Sequence, residues 1–79
     1  MNDIRRVDWF RILVQLQRAG HPLILVATST GITEGALRGY LAGMEPAHWR
    51  GEALLLYWSE VTGKTKDSAP LKRSPFAHL

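Results

Sequence analysis

The sequence contains no cysteine, which excludes both a disulfide framework and a thiolate zinc site as braces for so short a chain. Its apolar run from Leu23 to Ala27 is far too short to span a bilayer. The N-terminus carries charges but no apolar h-region, so no signal peptide and no membrane association are expected, and the expected location is cytoplasmic. The three histidines, His21, His48 and His78, lie far apart and have no cysteine beside them, which is not a metal-ligand spacing. Paired carboxylates, a phosphate-cradling glycine loop and a nucleophile elbow are all missing. The hydroxyl cluster Thr28, Ser29, Thr30 has no neighbouring base in the sequence. The expectation is therefore a protein that is not an enzyme and uses no cofactor.

What remains is a chain of 79 residues, 46% hydrophobic and 22% charged, the proportions of an ordinary folded domain. One core of this size is only marginally stable alone, so packed helices, and a second subunit in a homodimer, are the expected sources of extra stability. The formal net charge is +3. A basic domain suits a polyanionic partner, because neutralised phosphates release counterions.

The pattern predicts an all-α, compact bundle of four helices, with a fifth left open. Residues 1–7 read as a polar lead-in carrying Arg5 and Arg6, residues 8–63 as the domain, and residues 64–79 as a basic, flexible tail. Asp8 is placed as the N-cap of a helix over 9–19 that Gly20 closes. Trp9, Ile12, Leu13 and Leu16 line its buried face, and Arg11, Gln15 and Arg18 form a stripe on the other. That stripe is either a solvated surface or a set of phosphate contacts. Pro22 opens a second helix. Gly31 ends it in the left-handed conformation, Ile32 plugs the corner, and Thr33 caps a third helix whose inner face holds Ala36, Leu37, Tyr40 and Leu41. This is the grammar of a helix-turn-helix. A connector over 44–50 leads to a last helix over about 51–62. Leu54, Tyr57, Trp58 and Val61 form its inner face, and it is greasy over more than half its circumference. Leu55, Leu56 and Trp58 are the expected dimer or partner contacts, unless the tail folds back over them. In that tail Leu71, Phe76 and Leu79 are able to dock, and Lys64, Lys66, Lys72 and Arg73 make it basic.

The run Leu23-x-x-x-Ala27-x-x-x-Gly31-Ile32-x-x-x-x-Leu37-x-x-Tyr40, with a helix before and after it, resembles the helix-turn-helix of the phage lambda repressor and Cro group over roughly residues 8–63. The resemblance implies a sequence-specific regulator of transcription, of phage or prophage type, that binds double-stranded DNA. A helix over about 33–42 would lie in the major groove. It also carries base-reading roles onto Thr33, Glu34, Gly35 and Arg38. Helical geometry adds Gly39 and Ala42 to the same outward face. Two glycines and an alanine leave that face almost without side chains, so that a backbone can come close to its partner, whether DNA or protein. Arg38 is its one long reader. Thr28, Ser29 and the first N–H groups of the third helix are the expected phosphate contacts, with Arg11, Arg18 and Arg50 as weaker candidates.

The chain departs from that group at Ile24 and Leu25, where polar residues that bond phosphate are usual. With Leu23 they make an apolar surface, which sustains a rival reading. In it the same fold is a protein-interaction module, such as a phage-encoded inhibitor or adaptor of host machinery, using Leu23, Ile24 and Leu25 or the last helix.

Overall fold

A computed structural model describes residues 7–72. The expectations placed on Arg5, Arg6, Arg73, Phe76 and Leu79 fall outside that range. Four helices follow in order: α1 (Trp9–Arg18), α2 (Leu23–Thr30), α3 (Glu34–Leu41) and α4 (His48–Thr62). One 3-10 turn, Lys66–Ser68, comes after them. The fold is all-α, and the described residues contain no strand beyond a single bridge between Val7 and Leu71.

α1 begins where Asp8 accepts a hydrogen bond from the Arg11 amide at 3.1 Å, which satisfies one of the free donors of the first turn. Its Trp9, Ile12, Leu13 and Leu16 are all buried. Pro22 stands at the N-cap of α2, one position before the first helical residue, and its carbonyl accepts from Leu25 and Val26. Gly31 ends α2 at φ 78°, a conformation that costs an L side chain about 1–2 kcal/mol. Thr30 locks the turn from both sides: its hydroxyl donates to the Val26 carbonyl and accepts from the Ile32 amide. Ile32 is fully buried beneath it. Thr33 caps α3 by accepting from Ala36 at 3.1 Å.

α1 and α2 each contact both α3 and α4. The shared core is Ile12, Leu13, Leu16, Val26, Ile32, Leu37, Leu54 and Trp58, with Val7, Trp9, Tyr40, Leu55 and Ala69 around it. Two side-chain bonds tie α4 to the first half of the chain. Trp58 Nε1 donates to Gln15 Oε1 at 2.8 Å, and His21 Nδ1 lies 2.6 Å from the Tyr57 hydroxyl, the rings meeting edge to face. Gln15 therefore leaves the polar stripe expected of α1: its amide satisfies an indole that is otherwise sealed in the core. Tyr57→Phe is expected to lower stability by about 0.5–1.5 kcal/mol, read from urea denaturation with an unchanged m-value.

Three boundaries differ from expectation. α4 starts at His48, so residues 48–50 are its first turn and not connector. The helix runs straight through Gly51, which is buried and donates to the Ala47 carbonyl at 2.9 Å; a glycine there weakens a helix without ending it. The segment after α4 is not a free tail over its described length. It packs on α4, buries Ala69, and pairs back on the start of the chain through Asp8 N donating to Pro70 O at 2.8 Å. Lys66 reaches Glu52 at 3.4 Å, and Lys72 pairs with Glu45. At the other end Val7, assigned to the polar lead-in, belongs to the core.

Leu55 and Trp58, expected at a dimer or partner contact, are buried within the subunit. They are 6% and 1% exposed, because successive residues turn by about 100° and theirs point with Gly51 and Leu54 into the subunit. Of the three residues expected at that contact, Leu56 alone is exposed, at 55%.

Candidate nucleic-acid interface

α3 packs its Leu37 and Tyr40 side inward, with Ala36 and Leu41 half-buried beside them. Its other side faces solvent. Thr33, Gly35, Arg38 and Ala42 are exposed there, and Glu34 is half-buried. Glu34 is in the first turn, favourable to a carboxylate, and Arg38 is in the last, favourable to a cation. The two side chains meet, Arg38 Nη2 donating to Glu34 Oε2 at 2.9 Å. One guanidinium nitrogen is thus held, which orients the side chain along the helix while leaving other donors of its fork free.

The two glycines of α3 serve different ends. A Cβ built at Gly35 would have nothing within 4 Å, so the backbone there is bare and open. A Cβ at Gly39 would lie 3.0 Å from Met44 Sδ. The chain doubles back after α3, with the Met44 amide donating to the Gly39 carbonyl at 2.9 Å, and lays the Met44 side chain over that glycine. Gly39 is therefore withdrawn from the reading face: its bareness accommodates a side chain of its own subunit. The sequence offers no periodic signal for Met44, whose position is set by the left-handed turn at Gly43.

Among the expected phosphate contacts, Ser29, Arg11 and Arg18 are exposed. Arg11 lies 3.6 Å from Asp8, within the first turn of its own helix. The Thr28 hydroxyl donates to the Ile24 carbonyl at 2.9 Å, so its proton is committed to the helix although the residue is exposed. Arg50 differs from them in its surroundings. It is half-buried on the first turn of α4, its Nε is enclosed without a hydrogen-bond partner, and its guanidinium sits 5.1 Å from the centre of the Trp49 ring.

An open groove of about 530 Å³ runs beside this face. Gln17, Gly20 and Pro22 line it with Leu23, Ile24, Glu34 and Arg38. The apolar start of α2 and the charged start of α3 are therefore neighbours around one depression. Ile24 is 60% exposed and Leu25 41% exposed, whereas Leu23 is half-buried against the core.

These features define a small all-α domain in which two short helices meet at a tight glycine turn, the second open on its outer side at Gly35. Comparison with protein-family models, with curated proteins and with solved structures finds no match. No helix among the described residues is long and apolar enough to cross a membrane.

Proposed function

We propose that this chain binds duplex DNA with α3 in the major groove, as a small cytoplasmic regulator of transcription of the phage or prophage type. The observation that carries the reading is the open outer side of α3, where a bare backbone at Gly35 stands beside a projecting Arg38. A helix entering the major groove meets base edges with its N-terminal half, which here is Thr33, Glu34 and Gly35, and the Arg38 side chain reaches back from the last turn to Glu34 beside them. Arg38 can address guanine O6 and N7 with two N–H groups. The first N–H groups of α3, Ser29 and the basic residues of α1 would take phosphates. Two copies would present their reading helices about 34 Å apart, one turn of DNA.

The exposed Ile24 and Leu25 favour a second reading, in which the partner is a protein that covers the start of α2. Salt separates the two. Selection of binding sites from random duplex DNA at physiological salt is expected to enrich a motif whose affinity falls steeply as salt is raised. If no motif is enriched while a captured protein partner stays bound through the same salt range, the second reading replaces the first.

A further inference from the structure

The side of α4 turned away from the core carries a stripe that the fold leaves uncovered. At about 100° per residue, Trp49, Ala53, Leu56 and Glu60 fall within roughly 60° of one another on that side. Trp49 and Leu56 are both more than half exposed, Glu60 is exposed and Ala53 is half-buried. The ends of the stripe differ in charge. At its beginning the Arg50 guanidinium lies over the Trp49 ring, and Ala47 supplies no side chain to cap the free N–H groups of the first turn. At its end stands Glu60. The helix macrodipole has the same sense, positive at the first turn and negative at the last.

We propose that this stripe is the contact between two copies of the chain, their α4 helices packed antiparallel about a two-fold axis near Ala53. Antiparallel packing brings each Glu60 to the positive, uncapped start of the other α4, at both ends of the contact at once. Parallel packing sets like against like. The small Ala53 at the centre lets the helices approach, and Trp49 and Leu56 of each copy fill the space on either side. A self-complementary patch closes after two subunits and leaves nothing for a third. Each copy contributes a single short helical stripe, so the dimer is weak and depends on concentration. This contact does not rest on the DNA reading, and its test contains no DNA.

Sedimentation equilibrium over a concentration series is expected to show a reversible monomer–dimer equilibrium. Leu56→Glu, at a position exposed in the monomer, is expected to raise the dissociation constant at least tenfold (about 1.4 kcal/mol) while leaving the thermal melt of dilute protein unchanged. The parent has no cysteine, so an introduced thiol is unique. Ala53→Cys is expected to give a disulfide-linked dimer under mild oxidation. Glu60→Cys is expected to remain without a cross-link, since an axis near Ala53 holds the two copies of position 60 at opposite ends of the contact. A parent that is monomeric throughout, a Leu56→Glu variant that dimerises like the parent, or Glu60→Cys cross-linking as readily as Ala53→Cys would each overturn the proposal.

Discussion

Replacing Arg38 with alanine is expected to weaken binding to a selected DNA site about 10–100-fold and to flatten the preference among sites. The size follows from the loss of a two-pronged contact to guanine, worth about 1–3 kcal/mol of discrimination. Arg38 is the one cation on the outer face of α3, so no neighbour there substitutes for it. The fold hardly notices the change: the side chain is 67% exposed, and an exposed pair such as Arg38–Glu34 contributes only about 0.3–0.5 kcal/mol. Fluorescence anisotropy titrations at several salt concentrations distinguish the possible roles. A base contact leaves the salt slope of the parent intact, whereas a phosphate contact lowers it by about one. Parent-level affinity in the variant would remove Arg38 from the site.

Gly35→Ala is expected to move stability and binding in opposite directions. In the free protein the new methyl group meets nothing within 4 Å, and alanine is favoured over glycine inside a helix by about 1 kcal/mol. The melting temperature should therefore rise by roughly 4–8 °C. On DNA the same methyl stands where the backbone is proposed to come closest, and affinity should fall about tenfold, or roughly 1.4 kcal/mol. A gain in stability together with a loss of binding cannot arise from a damaged fold, which gives the pair of measurements its force. Calorimetry and a binding titration on one preparation supply both. If the variant binds as tightly as the parent, the backbone at Gly35 is not in contact and the bare face needs another explanation. Gly39→Ala is the control, because Met44 already covers that position and its flexible end can shift aside.

Local chemistry is readable wherever it depends on near neighbours in the chain. The Asp8 cap, the left-handed Gly31, the plug at Ile32 and the Thr33 cap are short-range devices, and each stands where the sequence places it. The inner faces of α1 and α3 follow from helical periodicity in the same way. Pairings across long separations are not readable. Gln15 reads as a surface residue until Trp58 is folded against it, and His21 reads as an isolated histidine until Tyr57 arrives. Gly51 reads as a helix start because glycine commonly punctuates, yet tertiary packing carries α4 through it. At the candidate site, Arg38, Glu34 and Gly35 lie on the expected face, but Gly39 does not, since no periodicity reveals a methionine returning from the following turn. The last helix misleads for a different reason. A segment apolar on several sides does not announce which side is covered: Leu54 and Trp58 lie inward as their inner-face positions imply, but Leu55 turns inward with them while Trp49 and Leu56 face out.

The clasp between the start of α1 and residues 69–71 couples the two ends of the described chain. Helices α2 and α3 are neighbours in sequence, and contacts between them close cheaply. The bond from Asp8 to Pro70 spans nearly the whole described length, and the second half of the clasp leaves the ribosome after every helix. During synthesis the helix-turn-helix can therefore assemble early, while the edge formed by Val7 stays open to water until Ala69 and Pro70 emerge and seal it.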